Sequence, residues 1–198
     1  MAARKFNWGT ALFVLLVLIA IAVLAYSALH ETGGNTPSAV PPQDSPAAAA
    51  SDFIVSEPAK PAPDNAFVDV QGGSHRLADY KGGYTLVNFW ATWCAPCKVE
   101  LPSLARLKDK MGDQLKVVTI SVDKSADIAA KYLTEKGLTG LTSYADPSLD
   151  LSVALGADGV PTTVLIDPEG DVIGRHAGSA EWDSPEAVAA LEKILAKG

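Results

Sequence analysis

The longest apolar run in the chain is Ala11–Leu29, ALFVLLVLIAIAVLAYSAL, in which eighteen of nineteen residues are apolar and none is charged. No polar face exists to meet water, which argues against a soluble helix. About 20 such residues cross a ~30 Å hydrocarbon layer as a helix. Trp8 and Tyr26 lie near the two ends, where aromatic rings favour the headgroup zone. Arg4 and Lys5 precede the run, so the short N-terminus stays cytoplasmic and the rest of the chain lies outside. A cleavable signal peptide is the alternative, with Ala25-Tyr26-Ser27 as its cleavage site, although signal cores usually have only about 7–15 apolar residues.

The pattern then loses its apolar content. Residues 31–65 hold seven of the thirteen prolines and the run Ala47–Ala50, with Val40, Phe53, Ile54 and Val55 as the only bulky apolar residues. Such a stretch buries too little surface to offset its ordering entropy. It reads as a tether with an r.m.s. span of about 30–35 Å as a coil, and the Phe53–Val55 patch is available to dock on a domain. The expected division is a cytoplasmic segment over 1–10, a transmembrane anchor over 11–29, a Pro/Ala-rich linker over 30–62 and a domain over 63–198.

Within that domain, Ala66–Leu77 predicts a hairpin turning at Gln71-Gly72-Gly73-Ser74. Thr85–Trp90 is β-rich and apolar on both faces, as a central strand is. A helix is predicted over Ala95–Met111, a strand over Leu115–Val122 and a helix over Ala126–Lys136 stopped by Gly137. Leu141–Tyr144 predicts a short strand and Pro147–Leu155 a short helix. Thr162–Ile166 and Val172–Ala177 predict a hairpin around Pro168 and Gly170, and Ser184 caps a last helix opened by Pro185. Strands alternating with helices, then a closing hairpin, imply a three-layer α/β/α domain with a mixed sheet.

Composition sharpens this division. The overall 48% apolar content averages an apolar segment, a polar tether and a domain. The net charge is −7, which argues against nucleic acid as partner, since phosphate neutralisation needs basic excess. Two cysteines cannot build a multi-bridge scaffold or a four-thiolate cluster.

Those two cysteines carry the chemistry. Trp93-Cys94-Ala95-Pro96-Cys97 follows the central strand and opens a helix. A sulfur there faces unpaired N–H groups and the positive end of the helix dipole, which favour the reactive thiolate. Cys97, three residues on, is placed to form a disulfide with Cys94. Cys94 would attack a substrate disulfide, and Cys97 would then attack Cys94 and release the reduced product. Pro96 presets the helix start. Zinc would need two more ligands, with only His75 and His176 in the domain; covalent haem would need a histidine where Lys98 stands. A static disulfide would close so small a loop that it adds little stability.

The run Val87–Cys97, with Glu100 and Pro102 after it, resembles the membrane-anchored extracytoplasmic thioredoxins of bacteria, the TlpA/ResA/CcmG family, most closely TlpA. The resemblance covers roughly Pro63 to Lys197 and includes Gly159-Val160-Pro161-Thr162. It implies a thioredoxin fold with an N-terminal β-hairpin and a central αβ insert. The separation of 64 residues from Cys97 to Pro161 agrees, exceeding that of a minimal thioredoxin. It implies that Pro161 is cis beside the cysteine pair, that the Val160 backbone pairs with substrate, and that Trp93, Ala95 and Pro96 line the substrate platform. An ordinary strand-start proline is the plainer reading of Pro161.

Asn88 stands where thioredoxin has a buried acid, so that proton relay is absent. Glu100, one turn after Cys97, matches the buried glutamate of ResA-like proteins; beside two thiols it would relay protons, while a surface glutamate would do nothing. Lys98, Arg106, Lys108 and Lys110 read as a solvated face, Tyr84 and Trp182 as packing, and His75 and His176 as ordinary.

The resemblance implies a protein-disulfide reductase of the inner membrane, its domain periplasmic, using no cofactor or metal beyond the Cys94–Cys97 pair. Its substrates would be oxidised copper-site proteins in cytochrome oxidase assembly or apocytochrome c, and its electrons would come from a CcdA- or DsbD-type membrane protein. The extra cysteine pair of some TlpA proteins is missing. A copper chaperone or adaptor of the same fold is the alternative, and would want His176 beside the cysteines.

Overall fold

The computed structural model describes residues 17–19, 21–23, 54–142 and 144–196. The chain divides into two units, Met1–Asp44 and Ser45–Gly198. In the first, residues 17–19 and 21–23 are helical. The rest of the expected transmembrane segment over 11–29 lies outside the described residues, and no helix among those described is long and apolar enough to cross a membrane.

The second unit is built on one mixed sheet. Its strands are β1 (Ile54–Pro61), β2 (Phe67–Val68), β3 (Ser74–His75), β4 (Thr85–Trp90), β5 (Lys116–Ser121), β6 (Tyr144–Ala145), β7 (Thr162–Ile166) and β8 (Asp171–Ala177), in the spatial order β1-β8-β7-β4-β5-β6-β2-β3. The neighbours β4, β5 and β6 run parallel, while β4–β7, β7–β8 and β8–β1 are antiparallel. The helices are α1 (Ala95–Met111), α2 (Ala126–Glu135), α3 (Asp150–Ala154) and α4 (Pro185–Leu195).

All six residues of β4 are buried, as a strand covered on both faces must be. Its alternation separates two cores. Leu86 and Trp90 face Leu101, Leu104 and Leu107 of α1, Leu133 of α2 and Leu191 of α4. Val87 and Phe89 face Phe67, Leu77 and Leu151. Asn88, on the helical side with Leu86 and Trp90 by the same alternation, is the polar exception. The hairpin β2–β3 and the α2–β6 unit are the expected additions to a minimal thioredoxin domain.

Three elements depart from the sequence reading. Residues 54–61, placed in the linker over 30–62, form strand β1, pairing Ile54 with Arg175 and Pro61 with Asp171. The composition argument concerned side-chain burial; backbone pairing to an open edge of β8 needs none, and Pro58 and Pro61 are tolerated on an edge strand. Of the Phe53–Val55 patch, Ile54 and Val55 lie in β1, and Phe53 lies outside the described residues. The short strand expected over Leu141–Tyr144 begins only at Tyr144, because the Thr142 hydroxyl takes the Thr119 amide (2.7 Å) that a strand carbonyl would take. The helix expected from Pro147 starts at Asp150, because Leu149 before it is left-handed, with φ 64°.

Candidate active site

Cys94 is the N-cap of α1, in extended conformation, and its sulfur accepts the Cys97 amide at 3.2 Å. Pro96 sits in the first turn, where its missing N–H costs nothing. The two cysteines form a disulfide with Cα atoms 5.3 Å apart; Cys97 is fully buried and Cys94 nearly so. Both are held from behind by the end of β4, and Asp123, just after β5, fixes the loop between. Its carboxylate accepts the Thr92 amide (2.9 Å), the Thr92 hydroxyl (3.0 Å) and the Ser121 hydroxyl (2.7 Å). The sequence reading missed Asp123: an aspartate after a strand carries no periodic signal.

Across from the disulfide, the Val160–Pro161 peptide is cis, and the Val160 carbonyl oxygen lies 3.6 Å from the Cys94 sulfur. Trp93 is 68% exposed beside them. Trp93, Val122, Leu149, Val153, Ala157 and Val160 are the apolar lining of a groove of about 380 Å³. Leu149 and Val153 come from α3 and its N-cap, which no motif pointed to. Ala95 is exposed and Pro96 partly so, at the mouth of the site.

Glu100 is 1% exposed, on the face of α1 that carries Cys97 one turn earlier. Its Oε1 accepts from Asn88 Nδ2 (2.8 Å); its Oε2 accepts from the Ala180 amide (3.1 Å) and the Trp182 indole N–H (3.2 Å). Burial pushes its carboxyl up to about 7, against the downward pull of those three donors. Asn88 also donates to the Thr163 hydroxyl at 2.9 Å, while its own buried Oδ1 has no hydrogen-bond partner. A carboxyl poised near neutrality can both take and give a proton.

Trp182, read as packing, is fully buried and also a donor to Glu100. The basic residues lie at the surface as expected, Arg106 and Lys110 about half exposed, and they also make surface contacts: Arg106 holds the Asp183 carboxylate at 2.7 and 3.0 Å, Lys110 donates to the Asp183 carbonyl, and Lys108 donates to the Gly140 carbonyl. His75 pairs with Asp69 at 2.8 Å on the distant hairpin. His176, on β8, sets its ring edge-to-face on Trp182 at 5.4 Å. Among the described residues, no group of three or more His, Cys, Asp or Glu stands ready to hold a metal ion.

A redox pair at the start of a helix, opposed by a cis-proline loop on a mixed sheet, places the domain in the thioredoxin-fold class of thiol–disulfide proteins, whose redox group is this pair itself. The sequence model of the AhpC/TSA family matches residues 58–175, more than half of the chain. The chain belongs to that family, in its TlpA/ResA/CcmG group of thiol–disulfide oxidoreductases. It is 37% identical over 107 residues to the thiol:disulfide interchange protein HelX of Rhodobacter capsulatus, covering 54% of this chain and 59% of HelX, so less than two thirds of that relative is spanned. It is 31% identical over 136 residues to the thiol-disulfide oxidoreductase ResA of Bacillus cereus, covering 68% and 77%. A crystal structure described as a thiol:disulfide interchange protein DsbE from Chlorobium tepidum superposes with a TM-score of 0.58 at 30% identity, covering 70% of this chain and 95% of that one.

Proposed function

We propose that this protein is a membrane-anchored periplasmic reductase of protein disulfides. One observation carries the reading: the disulfide at the start of α1 is nearly buried, yet its Cys94 sulfur lies against the Val160 carbonyl and beside exposed Trp93. In the reduced protein, the Cys94 thiolate attacks one sulfur of a substrate disulfide. That S–S bond breaks, a mixed disulfide forms, and one substrate thiolate leaves. Cys97 gives up its proton, Glu100 being the acceptor nearest along the helix, and its thiolate attacks the Cys94 sulfur. The second substrate thiol departs and the Cys94–Cys97 disulfide re-forms, two electrons having passed to the substrate. The Val160 backbone and the apolar groove hold the extended substrate segment around its cysteine.

Electrons return to the pair from a CcdA- or DsbD-type membrane protein. The substrate is an oxidised copper-site protein of cytochrome oxidase assembly, with apocytochrome c as the other candidate. Ala-Pro between the cysteines supports the reducing direction, since it puts no cation there to stabilise the reduced thiolate further. The copper-chaperone alternative lacks a favouring observation. Replacing Cys97 with Ser in the full chain, in cells, should trap substrate on Cys94 as a mixed disulfide; recovery of copper-site proteins supports the reading, recovery of apocytochrome c redirects it to cytochrome c maturation, and no trapped protein with tight copper binding sinks it.

A further inference from the structure

Between β8 and α4 the chain runs as a strap, residues 178–183, along α1. Gly178 donates its amide to the Pro161 carbonyl (2.9 Å), and the Ser179 hydroxyl donates to the Pro96 carbonyl (3.2 Å). The Ala180 amide and the Trp182 indole reach Glu100, and the Trp182 amide donates to the Ser103 hydroxyl at 3.1 Å. Asp183 closes the series on Arg106. Successive strap residues therefore meet α1 at 96, 100, 103 and 106, while the strap's first residue meets the loop that faces Cys94. Both donors to Glu100 Oε2 come from this one segment.

We propose that Trp182 is a positioning residue: with the Ala180 amide, its indole N–H fixes the buried Glu100 carboxyl one turn from Cys97, so that the strap ties the cis-proline loop to the acid that handles the cysteine proton. The proposal rests on the role given to Glu100 above. Packing alone explains a buried tryptophan, but not the aim of its one polar atom at an ionisable oxygen, in line with a backbone donor from the same strap. The groups facing Glu100 are Asn88 from β4, the strap itself, and Cys97 and Ser103 on its own helix; His176 of β8 lies behind Trp182. Cys97 on the same helix and, through Trp182, His176 are the titratable groups around it. In the oxidised protein Cys97 is locked in the disulfide, which leaves the carboxyl to be read by itself.

The test is the pH midpoint of the Glu100 side-chain carboxyl, followed by carbon NMR on the oxidised full chain, with Glu100→Gln to assign the signal. Trp182→Phe keeps an aromatic ring and removes the N–H, so the charged form loses a donor and the midpoint should rise by about one pH unit. If phenylalanine does not fold, benzothienylalanine at 182, an isostere with sulfur in place of the N–H, should give the same rise. In the reduced protein, the pH dependence of insulin disulfide reduction should shift with Trp182→Phe, and the shift should vanish in a Glu100→Gln background. A midpoint that stays put while thermal stability falls would make Trp182 a packing residue and overturn the proposal. Absence of insulin reduction by the wild type would instead remove the functional reading, with the carboxyl midpoint still deciding whether Trp182 positions Glu100.

Discussion

Glu100 is an acid placed where acids are costly, and that cost sets a measurable pH dependence. Its carboxyl sits at about 7 in the folded chain against 4.5 for an unburied glutamate. Between those two values the folded state holds the proton that the unfolded chain has lost, so stability falls as pH rises through the window and is level above it. The difference amounts to about 3 kcal/mol at most. Glu100→Gln should flatten this decline, making the oxidised variant relatively more stable at pH 8 than at pH 5 when denaturant midpoints are compared. A wild type whose stability is level from pH 5 to 7 would argue that the carboxyl is ionised throughout. Asp123 is an acceptor for three donors around the loop before Trp93. Asp123→Ala leaves the Thr92 amide and two hydroxyls without that acceptor and should cost about 2–3 kcal/mol, read by thermal unfolding, with slower disulfide exchange as Trp93 loses its support. An unchanged melting temperature would mean that water replaces the carboxylate.

The elements divide by how local their causes are. Helix α4 was legible because its start lies in adjacent residues: Ser184 accepts the Ala187 amide at 3.2 Å, and Pro185 presets the first turn. Ser184→Ala should lower stability by about 1 kcal/mol in chemical denaturation and leave exchange activity intact. Strand β4 and helix α1 were legible to the residue, since an apolar run and a Cys-Ala-Pro-Cys start each write their own boundaries. Strand β1 was not, because its cause is the open edge of β8, more than a hundred residues away, and not its own apolar content. The same holds for the strap. Nothing near Trp182 marks it as a partner of Glu100; the contact arises from the register in which residues 178–183 descend α1. Cys94 and Cys97 were readable from type and spacing, and Glu100 and Pro161 only through the family resemblance, whereas the parts that hold them were set by tertiary packing. Removing residues 54–61 tests this account of β1. It should lower the melting temperature and raise self-association through the bared β8 edge, with exchange activity retained. An unchanged melting temperature and a monomeric product would mean that β1 contributes nothing to the sheet.

At the scale of the whole chain, the proposal of an anchor rests on the first unit alone. Its described helical residues present Leu18, Ile19, Ile21 and Val23 at 50–59% exposure, apolar side chains that water would not favour and lipid would accept. The domain from Ala66 onward has 13 basic and 18 acidic residues, so its own charge does not draw it to an anionic bilayer. The proposed residence at the membrane would then depend on residues 11–29, and the two readings of that run give opposite products. An anchor keeps the N-terminus: the full-mass chain should remain in the membrane pellet through high salt and alkaline carbonate, and detergent should release it. A reporter fused at the C-terminus should be active only outside the cytoplasm. Cleavage after Ser27 would yield a chain beginning at Ala28 in the soluble extracytoplasmic fraction, which mass spectrometry distinguishes at once. Replacing Leu18 and Ile19 with Lys should abolish pelleting if the segment spans the bilayer, because each charge near the middle of a span costs about 2.5–3.5 kcal/mol. Such a variant still found in the carbonate-washed pellet would place the attachment elsewhere in the chain.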